Sequence, residues 1–143
     1  MRAGDSVLLF DVGAQFFSVP LDCVREILPA VELLPSPKTF VGMEGLLDLR
    51  GEIIPVVDLS QFLSVHSRPP RYTDHLIVLH LNKEQVAIRV DRATELATFS
   101  EDSSNSTVSN KFVRWNGNII TTLDPDDLER VVARWSNSKM AEV

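Results

Sequence analysis

The chain has 143 residues, 44% apolar and 24% charged, which fits one soluble globular domain or two small lobes sharing a core, not a disordered or fibrous chain. Its net charge of −6 and pI near 5.0 argue against a phosphate-backbone binder, which would carry a basic face, and leave basic or mixed protein surfaces as partners. Cys23 is the only cysteine, so there is no internal disulfide and no paired thiolate zinc site. No stretch approaches the roughly 18 apolar residues of a membrane span, so the expected setting is a reducing cytoplasm without membrane insertion.

The opening "MRAGDSVLLFDVG" has too short an apolar run for a signal peptide. "VLLFDVGAQFFSVPL" predicts two strands around a Gly13-Ala14 turn. "DCVREIL" reads as a short helical turn capped by Asp22, with Glu26 near helical spacing from it. "PAVELLPSPKTFVGMEG" is loop-rich, with Pro29, Pro35 and Pro37. "LLDL" and "IIPVV" are strands on either side of Arg50-Gly51-Glu52, and Pro55 marks the second as an edge or a bulge. "DLSQFL" reads as a turn of helix capped by Asp58, with Gln61 at the capping-box position.

"SVHSRPPRYTD" is a linker by composition. "HLIVLHL" and "QVAIRV" follow as strands around Asn82-Lys83-Glu84, and "TFSEDSSNSTVSN" is expected to be a mobile polar loop. "KFVRW" and "NIITTL" flank Asn116-Gly117, a strong hairpin signal because both turn positions need φ > 0. "DPDDLERVVARW" predicts a helix. Asp124 caps it, Pro125 takes the first position, acids Asp126 and Asp127 suit its positive end, and Leu128, Val131, Val132 and Trp135 form an apolar stripe.

The halves repeat. Phe17, Val19, Leu21, Asp22, Glu26 and Ile27 shifted by 69 land on Val86, Ile88, Val90, Asp91, Glu95 and Leu96. Gly51, Ile53, Ile54, Val57, Asp58 and Phe62 shifted by 66 land on Gly117, Ile119, Ile120, Leu123, Asp124 and Leu128. Such a register points to duplication and to two small, curled antiparallel sheets packed side by side. Lobe one is expected over about 7–66 and lobe two over about 74–135, with the first strand as a candidate to cross between them. Gly51 and Gly117 then belong at matching turns. Arg50, which stands where the second half has Asn116, admits two readings. It is a tolerated solvated residue beside a glycine, or it lies at a lobe junction or partner surface where its fork of donors holds carboxylates or backbone oxygens.

"GLLDLRGEIIPVVDLSQFL" resembles the signature of the CheW family of chemotaxis coupling proteins, with Asp48 where that pattern has Asn. "FDVGAQFFSVPLDCVREIL" resembles the family's first hairpin and its Val-x-Glu-Ile element, and "NGNIITTLDPDDL" its closing hairpin and helix, so the resemblance covers nearly the whole chain. It implies a mainly β fold of two packed five-stranded SH3-like β-barrel lobes with short helices and a C-terminal helix. It also implies a non-catalytic adaptor joining the cytoplasmic tip of a chemoreceptor to the regulatory domain of a CheA-type histidine kinase. A scaffold of a pilus-motility or phototaxis pathway is the alternative. By the resemblance, Arg50 is the arginine of the Leu-Arg-Gly core, and Val24 and Glu26 are partner contacts. With these placed, Val24 and Ile27 are expected as apolar anchors, Glu26 and Arg50 as setting register, and Asp48 as the acid that holds Arg50 near a groove between the lobes.

Rival readings are weaker. His75 and His80, five apart on a strand, face opposite ways and form no local metal pair, and no Gly-x-Ser-x-Gly elbow accompanies Asp74 and His75. No nucleophile stands with a base and no glycine loop cradles a phosphate, so neither an enzyme nor a cofactor is expected. A tandem SH3-like nucleic-acid binder is disfavoured by the acidic charge. Cys23 reads as an ordinary small residue, Trp115 and Trp135 as core residues before partner anchors, and the acids at 126, 127 and 129 as a solvated helix face.

Overall fold

The fold is that of a computed structural model, which describes residues 6–36, 41–61, 63, 65–66, 68–98 and 112–141, without the side chains of residues 94 and 136–141. Pro37, Phe62 and residues 99–110 of the polar stretch expected as a mobile loop lie outside the described residues, while its first residue, Thr98, ends a strand. Strands β1 (Ser6–Val12) and β2 (Gln15–Pro20) form the first hairpin. Gly13 and Ala14 hold its turn at φ of 59° and 65°, the left-handed pair that matches the twist of the flanking strands.

A 3-10 turn over Leu21–Cys23 leads into β3 (Val24–Pro29). This corrects the helical reading of "DCVREIL". Pro20 is the N-cap of the short turn, Asp22 accepts the Cys23 thiol at 3.5 Å, and the chain from Val24 onward is extended. Pairing decides the matter. β3 runs antiparallel to a later strand, with Val24 packed on one core cluster and Leu28 on another, and this burial outweighs a local cap.

β4 (Met43–Leu49) and β5 (Glu52–Val57) form the second hairpin, followed by a 3-10 turn over Leu59–Gln61. Asp58 caps that turn as expected, its Oδ1 accepting the Ser60 N–H at 3.1 Å and the Ser60 hydroxyl at 2.7 Å. β6 (His75–His80), β7 (Gln85–Val90), β8 (Arg92–Thr98), β9 (Phe112–Trp115) and β10 (Asn118–Thr122) follow, then helix α1 (Pro125–Ala141). Asp124 caps α1 through the Asp126 N–H at 2.9 Å. No described helix is long and apolar enough to cross a membrane.

The strands form two five-stranded sheets, ordered β8-β1-β2-β10-β9 and β3-β6-β7-β5-β4. Replacing each strand by its repeat partner turns one order into the other, so the duplication extends to topology. Each sheet is mixed, not purely antiparallel, with one parallel pair, β2 with β10 and β5 with β7. The ladders leave both sheets open and curled instead of closing them as barrels; an isolated bridge between Leu34 and Leu46 lies outside the β4 edge. Neither sheet is built from one half of the sequence. The whole first hairpin, not its first strand alone, joins β8, β9 and β10, while residues 24–90 supply the other sheet. β5 is an interior strand despite Pro55, because its parallel pairing with β7 begins only at Val56, after the proline's missing N–H.

Alternating residues of each strand enter different cores. On β1, Val7 and Leu9 pack with Ala97, Val113 and Ile120 inside their own sheet, and Leu8 and Phe10 join the large cluster between the sheets. On β6, Leu76 and Val78 line the interior of their sheet while Ile77 and Leu79 enter the shared cluster. Burial on both faces explains why these strands read as continuous apolar runs. Leu128, Val132 and Trp135 of α1 seal the shared cluster, and the Trp135 indole N–H donates to the Val41 carbonyl at 2.8 Å. Trp135 is therefore core, and Trp115 packs beside the smaller cluster.

The linker is not a free tether. Arg68 donates to both oxygens of Asp74, at 3.1 and 2.6 Å, and pairs with Asp91, whose other oxygen accepts the Gly13 N–H at 2.8 Å. Arg89 reaches Asp74 at 2.8 Å and pairs with Glu44 on β4. The chain of charges runs from the first hairpin of one sheet to the edge strand of the other. Burial pushes the Asp74 carboxyl up, but Arg68, the Arg71 N–H and Arg89 outweigh it and hold it at about 2. Burial raises Glu44 above its ordinary range, with Arg89 opposing.

Candidate functional site

Four charged side chains from three elements converge beside the β4–β5 turn. That turn places Arg50 at φ 53° and Gly51 at φ 91°, and the equivalent Asn116 and Gly117 stand at 49° and 78°. The two turns match, as the repeat required. Asn tolerates left-handed backbone through its short polar side chain, and Arg has no such excuse, so a local bond holds the torsion. Asp48 supplies it, its Oδ1 accepting the Gly51 N–H at 2.9 Å. Asp48 thus staples the turn and does not pair with Arg50, which corrects the sequence reading.

The partner of Arg50 is Glu26. Arg50 Nη2 donates to Glu26 Oε1 at 2.8 Å, joining the β4–β5 turn to β3 within one sheet, not across the lobes. Two residues named separately from the sequence thereby meet. The Arg50 side chain is 66% exposed and that of Glu26 26%, so the guanidinium stands outward and the carboxylate forms its seat. Beside them, Arg25 Nη1 donates to Glu52 Oε1 at 3.0 Å and to the Gln85 side chain, and its Nε lies 3.8 Å from Glu26 Oε1. The β3–β6 register shifts between Val24 and Glu26, making Arg25 the extra residue of a bulge that re-aims its side chain.

The apolar residues divide. Val24 is half-buried and packs against the large core, whereas Ile27 is 42% exposed. Ile53 on β5, which the sequence reading assigned to the strand alone, is 51% exposed. Their repeat equivalents Leu96 and Ile119 are exposed too, at 61% and 54%. The sequence reading also missed Arg25 and Glu52. The available signal was charge order: Arg-Glu on β3 complements Arg-x-Glu at the turn. The second half carries Thr94 and Glu95, then Asn116 and Asn118, at these offsets and so no cation. The fold forms the same turn and strand there without the two arginines.

Cys23 has no reactive character. Burial first, then the bond to Asp22, pushes its thiol up to about 11. His75 accepts the Ala93 N–H on Nδ1 at 3.0 Å, a structural role at the start of β8.

A match to the CheW-like domain family spans residues 6–131. The chain is 30% identical over 130 residues to the chemotaxis protein CheW of Thermotoga maritima, covering 85% of each. It is 30% identical over 96 residues to protein PilI of Pseudomonas aeruginosa, covering 66% of this chain and 53% of that one. Among solved structures, the scaffolding protein TtCheW from Thermoanaerobacter tengcongensis superposes with a TM-score of 0.71 at 20% identity, over 87% of this chain and 86% of the other.

Proposed function

The chain belongs to the CheW-like domain family and is a chemotaxis-type coupling adaptor, and from that premise we propose that it couples through the ridge made by β3 and the β4–β5 turn. The partners in this reading are the regulatory domain of a CheA-type histidine kinase and the cytoplasmic tip of a chemoreceptor, met in the cytoplasm. The chain acts without catalysis, by holding the two in fixed geometry. The observation that carries the reading is the outward Arg50 guanidinium seated on Glu26, with exposed Ile27 following Glu26 on β3 and exposed Ile53 following Glu52 on β5. Apolar anchors with a charged pair at their rim are the composition of a specific, non-obligate interface. Asp48 contributes by fixing the turn that presents Arg50, and Val24 by seating β3 on the core.

The test is calorimetric titration of the native chain and Arg50→Ala with the kinase regulatory domain and with a receptor-tip fragment. Exposed ion pairs contribute about 0–1 kcal/mol to folding, so Arg50→Ala should melt like the native chain. An arginine anchor at an interface is worth roughly 2 kcal/mol or more, so affinity for one of the two partners should fall about thirtyfold. Arg50→Lys should recover little of it, because a point charge does not replace the planar fork. Unchanged affinity for both partners in a well-folded Arg50→Ala chain would return Arg50 to a tolerated turn residue.

A further inference from the structure

We propose that Arg25 is a positioning residue of this coupling surface: held by Glu52 and Gln85, it fixes the carboxylate on which Arg50 is seated. The inference rests on the reading of Arg50 given above and deepens it. Glu26 Oε1 lies 2.8 Å from Arg50 Nη2 and 3.8 Å from Arg25 Nε, so one oxygen faces two guanidiniums. Arg50, at the tip of a hairpin and mostly exposed, has no other side-chain bond among the described residues to orient it. Arg25 is anchored from two sides, by Glu52 at the start of β5 and Gln85 at the start of β7. The bulge at Arg25 is what lets consecutive residues of β3 both reach this corner, since regular strand geometry would send them to opposite faces. The order of action is therefore Glu52 and Gln85 to Arg25, Arg25 to Glu26, and Glu26 to Arg50.

The repeat supplies an internal control. At the corresponding places the second half has Thr94, Glu95, Asn116 and Asn118, and its hairpin and strand form with the same turn torsions and the same strand order. The row of charges is thus not needed to build the corner. Signs alternate along it, from Glu52 to Arg25 to Glu26 to Arg50, an arrangement that favours one register and disfavours others. The effect of Arg25 on a partner passes through Glu26 and Arg50.

The test uses the full chain, with Arg25→Gln, Arg50→Ala and the double variant titrated by calorimetry against the purified kinase regulatory domain and a receptor-tip fragment, beside thermal melts. Arg25→Gln should melt within a few degrees of the native chain and bind the Arg50-dependent partner about fivefold to tenfold more weakly. In the Arg50→Ala background the same change should cost less than about twofold, because residues acting in series are not additive. A structural role would show in the melt and in both backgrounds. Native-like affinity for Arg25→Gln, or a further tenfold loss in the double variant, would overturn the inference and leave Arg50 as the contact. Native-like affinity for Arg50→Ala would instead remove the coupling reading and this inference with it.

Discussion

Glu26 lies between the guanidiniums of Arg25 and Arg50, and a change of its sign turns two attractions into two repulsions. Glu26→Lys should therefore reduce partner affinity by about tenfold or more, while the pairs, lying at the surface, hold the melting loss to about 1 kcal/mol. Calorimetry beside circular dichroism separates the two effects, and a melt lowered by ten degrees or more would make Glu26 a folding residue. Asp74 is the opposite kind of residue, with its side chain 1% exposed between two arginines. Its carboxyl stands at about 2 against an ordinary 3.8. A depressed folded value means the stabilisation is complete above the ordinary range and is lost as pH falls from about 4 through 2, some 2 kcal/mol in all. Glu44 and Asp11, raised by burial, act with the other sign and in a higher window. The difference in urea-unfolding free energy between the native chain and Asp74→Asn isolates the term. It should shrink steadily from pH 5 to pH 2, and a difference independent of pH would contradict the ion-pair account. The sequence named Arg50 and Glu26 through local motifs but not their contact. Asp74 was weighed only beside His75 as a catalytic pair, since a buried network spanning positions 13 to 91 leaves no local signature.

Elements were legible where turn chemistry or capping is local. Gly13-Ala14, Asn116-Gly117, Asp58 and Asp124 all hold the torsions or caps expected of them. β3 was misread because Glu26 sits on its half-buried side among Val24 and Leu28, which breaks the apolar alternation that marks a strand. Its ladder partner β6 lies some fifty residues away, beyond any local rule. The segment after β3 makes a further, testable demand. Leu34 and Leu46 exchange backbone bonds at 2.8 and 2.9 Å, which lays residues 33 and 34 against β4. A Cβ on Gly45 would meet the Leu34 carbonyl oxygen at 2.9 Å and the Leu33 Cβ at 3.0 Å. Backbone does not yield as a side chain tip does, so Gly45→Ala should cost about 1–3 kcal/mol and speed amide exchange at Leu34 and Leu46. Gly51→Ala meets nothing within 4 Å, and its cost of about 1–2 kcal/mol is torsional, at φ 91°. It should leave the Leu34 and Leu46 exchange rates alone. Faster exchange at those two amides in Gly51→Ala, or none in Gly45→Ala, would refute the distinction.

At the scale of the molecule, the duplication visible in the sequence was right about the pattern and set lobe one over about 7–66 and lobe two over about 74–135, whereas the first hairpin joins the sheet of β8, β9 and β10. A hydrophobic repeat records which face of a strand is buried, not which sheet it joins, and either hairpin of the pair can satisfy the same ladder. In the folded chain β1 and β2 complete the sheet of β8, β9 and β10, and the Gly13 N–H is tied to Asp91 in the segment between β7 and β8. The largest core cluster draws on β1, β2, β5, β6, β7 and α1, so both sheets are stabilised by one shared interior. Residues 1–66 and 67–143 should therefore not fold as separate units. The first fragment would hold a hairpin cut off from its β8 and β10 neighbours and three strands cut off from β6 and β7, with Leu8, Phe10, Phe17 and Val19 open to water. At roughly 2 kcal/mol for each of these four side chains, the loss of roughly 8 kcal/mol is comparable with the whole stability of a small domain. Each fragment alone should give a circular dichroism signal without a cooperative melt. The intact chain should unfold in one transition, with coincident far-ultraviolet and tryptophan signals, because Trp135 reports the shared cluster and Trp115 the smaller one. Mixing the fragments should restore part of the fold, since every missing ladder is present in the partner piece. Two separate transitions in the intact chain, or a fragment that melts cooperatively by itself, would mean that the lobes are held independently and that the exchanged hairpin is not what binds them into one rigid adaptor.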